Sequence, residues 1–257
     1  MAEQWICPKC NGSTWLPGEG GDAVPCECRD RRINSAKTHG LVSTIPDRYL
    51  GLTIDPKLQA ITNYGRPLEF PPDVSRWVQR YCRDISKHLA KGEGLWLDGD
   101  VGTGKTTLAM LISKTAKEQG HSVIVYEAPK LLTRIRHTYG DNANMSYDEL
   151  FERLTSVELL HIEDLGAEQK TEWVLEQLYS IVNERYERGL SMIVTTNLDQ
   201  SELMAQIGQR TVSRLAQMCK YLSLHGPDRR MPNKHGEGVE AAAIEIAASV
   251  LSQPESR

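Results

Sequence analysis

The sequence is poor in aromatic residues, in net charge and in long apolar runs. Aromatic side chains make up 6% of its 257 residues, and the formal net charge is −4. No run approaches the ~18 apolar residues of a membrane-spanning helix, and the N-terminus lacks a basic segment followed by an apolar core. We therefore expect a cytoplasmic protein without a membrane partner. The acidic balance excludes a global field that attracts nucleic acid, so such binding must come from a local patch or from several copies in a ring.

Cysteine is also scarce, yet four of the six cysteines lie within the first 28 residues. They form a Cys7-x-x-Cys10 pair and a Cys26-x-Cys28 pair, and the spacer between them is rich in glycine and proline, so the chain can double back. In the absence of a secretion signal such pairs favour metal ligation over disulfides, and four thiolates suit a tetrahedral Zn²⁺. Redox chemistry and unligated thiols are the alternatives. A segment this short cannot bury its own core, so the metal would supply its folding energy.

A complete P-loop motif, Gly99-x-x-x-x-Gly104-Lys105-Thr106, follows a short apolar run. Its glycines let the backbone turn successive N–H groups inward, which forms an anion cradle at the start of a helix. Lys105 would reach the outer phosphates of ATP, and the Thr106 hydroxyl would bind Mg²⁺. The predicted nucleotide-binding residues of the loop are Gly99, Asp100, Val101, Gly102, Thr103, Gly104, Lys105, Thr106 and Thr107.

Apolar strands alternate with amphipathic helices between Leu95 and Leu224. This alternation predicts an α/β fold in which helices cover both faces of a parallel sheet. Prolines predict that residues 41–72 form a linker with little regular structure, and apolar spacing predicts a helix over 74–89. The resulting organisation is a zinc-binding module at 1–40, a linker and lead-in helix at 41–90, the nucleotide-binding domain at 91–226, and a tail at 227–257 with an amphipathic helical stripe.

Acidic and amide side chains follow two of the predicted strands. Glu163 and Asp164 end the strand at 157–162, and Asn197 ends the strand at 192–196. Ligands bind at the carboxyl ends of parallel strands, so the two carboxylates can hold Mg²⁺ and orient a water, and the Asn197 amide can hold that water. A plain strand-end cap is the alternative for Asn197.

Two further kinds of residue have more than one interpretation. Arg210 and Arg214 share a helix face and can either reach a nucleotide in an adjacent subunit or form surface ion pairs. His161 interrupts the apolar strand before Glu163, and a buried, hydrogen-bonded histidine is the favoured interpretation.

The sequence resembles the AAA+ ATPases of the DnaC/DnaI helicase-loader type, of which the transposition helper IstB is a relative. The resemblance covers most of the chain, and the early cysteine pattern looks like the zinc module of many phage and bacterial loaders. The resemblance to these ATPases rests on four segments: Gly-Asp-Val-Gly-Thr-Gly-Lys-Thr at 99–106, Ile-Glu-Asp-Leu-Gly-Ala-Glu at 162–168, Ile-Val-Thr-Thr-Asn-Leu at 193–198 and Arg-Thr-Val-Ser-Arg-Leu at 210–215.

The resemblance implies a role for each matching residue. It assigns Arg214 as an arginine finger acting in trans and Arg229 or Arg230 as the arginine near the end of the loader domain. The implied catalytic residues are Lys105, Glu163, Asp164, Asn197 and Arg214, and the implied magnesium ligands are Thr106 and Glu163.

One departure from the family pattern affects the expected rate of ATP hydrolysis. The family usually has aspartate first and then aspartate or glutamate, whereas this chain has Glu163 and then Asp164. A one-methylene change moves a carboxylate by ~1 Å, which can cost on the order of 100-fold in rate. We therefore expect slow hydrolysis, suited to a switch rather than a motor.

The implied function is the loading of a DnaB-type replicative helicase onto single-stranded DNA by a ring or spiral of ATP-bound copies. The zinc module and the linker would bind the helicase, and Arg134, Arg136 and His137 are candidate contacts to the single strand. The nearest alternative is an IstB-like helper that binds duplex DNA and a transposase. A small-molecule P-loop kinase and a nucleotide-gated adaptor that does not hydrolyse ATP are further alternatives.

Overall fold

The computed structural model of this protein describes residues 7, 9–11, 13–18, 20, 22–29, 45–55, 60–140 and 143–229. Its strands are β1 Trp15–Pro17, β2 Ala23–Pro25, β3 Leu52–Asp55, β4 Ala60–Asn63, β5 Arg66–Pro67, β6 Gly94–Gly99, β7 Val123–Glu127, β8 Leu159–Glu163, β9 Ser191–Thr195 and β10 Cys219–Leu224. Its α-helices are α1 Pro72–Arg83, α2 Ile85–Ala90, α3 Lys105–Glu118, α4 Ala128–His137, α5 Tyr147–Ser156, α6 Glu172–Glu187, α7 Gln200–Ile207 and α8 Gln209–Met218.

The main sheet has five parallel strands in the order β10-β6-β9-β8-β7. The central strands β6, β8 and β9 are buried along nearly their whole length because helices cover both faces of the sheet. In β6, Leu95 and Leu97 belong to the core that includes α1 and α3, and Trp96 belongs to the core that includes α4 to α8. The predicted α/β fold with a parallel sheet is confirmed. Because β6, β9 and β8 are neighbours, the loops that follow these three strands meet at one edge of the sheet.

The prediction that residues 41–72 lack regular structure is wrong for the part that is described. A 3-10 turn at Asp47–Tyr49 precedes a small antiparallel sheet of β3, β4 and β5. Pro67 does not break this sheet because it lies in the edge strand β5, where proline is tolerated. A tight turn at Tyr64 and Gly65, with φ of 49° and 76°, joins β4 to β5, and the fully buried Leu52 and Ile61 join the core on the α3 face.

The helix predicted over 74–89 is divided: it is interrupted at Asp84, whose φ is −104°, and gives α1 and α2. Between α7 and α8 the chain turns at Gly208, whose φ of 91° no right-handed helix allows.

The remaining predictions for the chain termini are only partly covered. The four early cysteines lie around the antiparallel pair β1 and β2. The amphipathic stripe predicted in the tail, and Arg230, lie outside the described residues. Among the residues that are described, no helix is long and apolar enough to cross a membrane.

Candidate nucleotide site

The P-loop joins the end of β6 to the start of α3, as its motif predicts. Gly102 and Gly104 have φ of 78° and 100°, values that residues with a side chain rarely adopt. A side chain at Gly104 would also place its Cβ only 2.6 Å from the Phe70 ring. The glycines therefore allow the backbone to turn, and they leave room for the Phe70 side chain to pack closely against the loop.

Lys105 spans the mouth of this loop. Its Nζ lies 2.7 Å from the carbonyl oxygen of Gly99 and 2.6 Å from that of Asp100. The side chain is 6% exposed, so its charge is held among backbone dipoles rather than in solvent. This places the ammonium group where the phosphates of a nucleotide would meet the start of α3.

A cavity of about 1350 Å³ opens above the loop. Most of the residues predicted for nucleotide and metal chemistry line it, including Gly102, Gly104, Lys105, Thr106, Thr107, Glu163, Asp164, Asn197 and Arg229. The volume is large enough for a nucleotide, since ligand pockets span ~300–1,000 Å³.

Thr106 and Glu163 meet at the base of the cavity. The Thr106 hydroxyl donates to Glu163 Oε2 at 2.7 Å, which joins the start of α3 to the end of β8. A hydroxyl and a carboxylate oxygen are the donor set that Mg²⁺ prefers, so these residues fit that ion.

Three neighbours hold the Glu163 carboxylate. Oε1 is hydrogen-bonded to His161 Nε2, and Oε2 also accepts from the Thr195 hydroxyl at 3.0 Å. Burial works to raise the pKa of Glu163, but His161 and the hydroxyls of Thr106 and Thr195 outweigh it and lower the pKa overall. Glu163 is therefore an anion at neutral pH. His161 is buried and also bonds Ser113 Oγ at 2.9 Å, as the favoured interpretation predicts.

Asp164 and Asn197 are exposed toward the same cavity. Asp164 has a left-handed backbone, with φ of 52°, which directs the chain sharply away from the end of β8. The carboxylate and the amide thus border the space in which the terminal phosphate and a water would lie.

Arg229 comes from the C-terminal part of the described chain and lies against the P-loop. Its N–H donates to the Gly102 carbonyl oxygen at 3.2 Å, and its guanidinium lies 5.1 Å from the centre of the Phe70 ring. The cavity is also lined by residues that sequence reasoning missed, namely Arg48, Tyr49, Leu68, Phe70 and Met110. Most of them lie in the segment predicted to be an unstructured linker, so no sequence signal assigned them.

The other predicted arginines lie away from this cavity. Arg214 is on α8, where its Nε donates to Asn183 Oδ1 at 2.5 Å and its guanidinium lies 5.1 Å from the Tyr179 ring centre. Arg210 is exposed on the same helix. Arg136 lies 4.7 Å over the Trp173 ring, and Arg134 and His137 share its helix α4.

The four early cysteines converge. Their sulfur atoms all lie within 4.8 Å of one another, and all four side chains are buried. The backbone N–H of Cys10 lowers the pKa of the Cys7 thiol, whereas burial raises the pKa of the Cys28 thiol to about 12. Four sulfurs in this arrangement fit a structural Zn²⁺.

Together the sheet order, the P-loop and the acidic pair at the end of β8 define an ATP-binding P-loop protein of the AAA+ class. The chain belongs to the family described as IstB-like ATP binding protein, whose sequence model matches residues 82–235, more than half of the chain.

Similar sequences bear the names of replication proteins. The chain is 27% identical over 137 residues to the replicative helicase loader DnaC of Buchnera aphidicola subsp. Baizongia pistaciae, which covers 53% of this chain and 54% of that one. It is 28% identical over 156 residues to the replicative helicase loader DnaI of Bacillus subtilis, which covers 55% of this chain and 49% of that one. The chain thus spans about half the length of these two relatives.

Solved structures share the fold. The crystal structure of the DnaC helicase loader matches with a TM-score of 0.59 at 21% identity, over 70% of this chain and 99% of that chain. The replication initiator DnaA bound to AMPPCP and single-stranded DNA matches with a TM-score of 0.54 at 20% identity, over 68% of this chain and 51% of that chain.

Proposed function

We propose that this protein binds ATP with Mg²⁺ and hydrolyses it slowly to control the loading of a replicative helicase onto single-stranded DNA. The observation that carries the proposal is the contact between Thr106 and Glu163 at the P-loop, with Asp164 and Asn197 facing the same cavity. Nucleotide binding and a place for hydrolysis are therefore combined at one edge of the sheet.

Each residue has a role in this proposal. The loop N–H groups and Lys105 bind the phosphates, and Thr106 and Glu163 would hold Mg²⁺, which neutralises charge on them when bound. Asp164 accepts a proton from the attacking water, and Asn197 orients it. The water oxygen bonds to the γ-phosphorus while the bond to the bridging oxygen of ADP breaks. Arg229 lies on the nucleotide, and Arg230 is its alternative.

Slow hydrolysis is part of the proposal because Asp164 has the shorter of the two acidic side chains. Its carboxylate lies further from the γ-phosphate than a glutamate at that position would reach. A bound ATP then persists long enough to act as a signal.

The role as a helicase loader is supported by the relatives, which are named replicative helicase loaders. In the proposed assembly, copies form a ring or spiral with ATP and Arg214 of one copy acts at the nucleotide of the next. Arg134, Arg136 and His137 would contact the strand. The domain division is part of the same proposal: the zinc module at 1–40 and the segment 41–90 bind the helicase, 91–226 is the ATPase domain, and 227–257 is a tail.

The test combines the purified protein, a hexameric replicative helicase and circular single-stranded DNA. We expect helicase to accumulate on the circles in the presence of ATP and much less so with ADP. Lys105→Ala should abolish the difference, because it removes the phosphate contact, whereas Lys117→Ala, at an exposed position of the same helix α3, should keep it.

A second outcome would favour the IstB-like helper. In a parallel assay with duplex DNA and a transposase, retention of both, without any effect on the helicase, would replace the loader proposal. The names of the relatives give that alternative less support.

A further inference from the structure

Thr195 touches both acidic residues of the candidate site. Its hydroxyl donates to Glu163 Oε2 at 3.0 Å and accepts the backbone N–H of Asp164, also at 3.0 Å. A hydroxyl has one hydrogen to donate, and that hydrogen is committed to Glu163. Thr195 is fully buried at the end of β9, so water does not substitute for either bond.

The backbone at Asp164 needs such support. A left-handed φ of 52° is unfavourable for a residue with a side chain, and such conformations persist only where the surroundings hold them. The carbonyl oxygen of Thr195 accepts the N–H of Leu165 at 2.8 Å, and Glu168 Oε2 accepts the N–H of Gly166 at 3.0 Å. The turn after β8 is therefore fastened to the end of β9, and Thr195 supplies two of the fastenings.

The opposite side of the Glu163 carboxylate has its own anchor. His161, two residues earlier on the same face of β8, bonds Oε1 and is itself held by Ser113. Only Oε2 faces Thr106 and Thr195, so the Thr195 hydroxyl acts on the oxygen that is nearest to the proposed magnesium site.

We propose that Thr195 is a positioning residue for ATP hydrolysis, whose hydroxyl fixes the Glu163 carboxylate and the Asp164 backbone relative to each other. The proposal rests on the proposed function, in which Glu163 serves Mg²⁺ and Asp164 serves the water. It explains how a site with the order Glu163 then Asp164 keeps both carboxylates in a defined place: the longer side chain is tied at both oxygens, and the shorter one is set by a constrained backbone.

The test is a comparison of Thr195→Val with Thr195→Ser. Valine has nearly the shape of threonine but lacks the hydroxyl, so kcat for ATP should fall by about 10-fold to 100-fold, the range that ~1 Å of misplacement causes. The KM for ATP and the Kd for ADP should stay within about threefold, because Lys105 and the loop are untouched. Serine retains the hydroxyl and should keep kcat within about threefold of the wild type.

Controls separate positioning from stability. Thr155→Val makes the same change at another buried threonine, whose hydroxyl donates to the carbonyl oxygens of Phe151 and Glu152 in its own helix α5, and should leave kcat unchanged. If Thr195→Val does not bind ADP, Thr195→Ala takes its place, because alanine also lacks the hydroxyl, and the same fall in kcat is expected.

Each outcome decides the matter. Unchanged kcat in Thr195→Val, or an equal loss in the valine and serine variants, overturns the positioning role alone. If the wild type binds ATP but does not hydrolyse it, the hydrolytic part of the proposed function fails and this proposal fails with it.

Discussion

Glu163 is held by residues from three different elements. These contacts show what the glutamate side chain does at a position where the family usually has the shorter aspartate. His161 on β8 bonds one carboxylate oxygen, and Thr106 on α3 and Thr195 on β9 bond the other. From sequence, the order of Glu163 and Asp164 is a departure from the family pattern and nothing more. In the structure, the longer side chain of Glu163 reaches His161.

A shorter side chain at this position should therefore harm the site, although it restores the usual first residue of the family pattern. Aspartate in Glu163→Asp cannot extend from His161 to Thr106, so one of these contacts is lost. We expect kcat to fall about 10-fold to 100-fold and the magnesium requirement to rise about 10-fold, because contacts that orient a metal ligand matter on this scale. ATPase assays over a magnesium titration measure both.

The same methylene deletion elsewhere serves as the control. Glu149→Asp changes an exposed residue of α5 that pairs with Arg153, and it should leave kcat and the magnesium dependence unaltered. A Glu163→Asp enzyme that turns over faster than the wild type would show that the family order is the better one here and that the His161 contact is dispensable.

The sequence predicts elements with a regular pattern well. It predicts poorly those features whose structure depends on contacts between elements. The strands β6, β8 and β9 are apolar runs with functional residues at their ends, and parallel topology then brings those ends together. The small sheet of β3, β4 and β5 was missed because its strands are short and bounded by prolines, so its stability comes from Leu52 and Ile61 against α3. The missed cavity wall at Tyr49 and Phe70 follows from the same error.

Arg185 on α6 is a second case in which contacts between elements override the local pattern. It lies in the charged end of a helix, which favours an exposed side chain, yet it is fully buried. Its guanidinium donates to the carbonyl oxygens of Leu154, Val157, Glu158 and Ser191, at 2.7, 2.9, 3.3 and 2.5 Å. Burial lowers its pKa to about 9, so it remains charged at pH 7. One side chain thus fastens the end of α5 and the starts of β8 and β9.

Arg185→Met should lower the free energy of unfolding by about 3 to 5 kcal/mol, because methionine fills the space but leaves several carbonyl oxygens buried without donors. Urea denaturation measures the change. Arg188→Met, three residues along, removes an arginine that pairs with Glu152 and Glu184 near the surface, and it should cost less than about 1 kcal/mol. Equal losses in the two variants would contradict the fastening role.

At the scale of the whole molecule, two chemically independent centres lie in different parts of the chain. The sulfur cluster is formed by residues before position 30, and the nucleotide cavity by residues from 46 onward. The sequence predicted both centres because each has ligands at fixed spacing. The resemblance implied a DnaB-type helicase as partner, but the motifs do not say which helicase, since partner recognition depends on surface shape rather than on a short motif. Under the proposed function, the cysteine centre binds the helicase and the P-loop responds to ATP.

Removal of zinc should therefore separate the two activities. A segment with so small a core depends on its metal for folding, so Cys7→Ser with Cys10→Ser, or a chelator, should unfold the module and lower helicase capture at least about 10-fold. ATP affinity should stay within about twofold, because the P-loop and the cavity contain no cysteine. Helicase pull-down and nucleotide titration on one preparation measure both, and Cys82→Ser, at a buried cysteine outside the cluster, controls for the loss of a thiol. Loss of both activities would contradict this division of labour, because the module would then be part of the ATPase fold. Loss of neither would contradict it as well, because the helicase contact would then lie elsewhere on the chain.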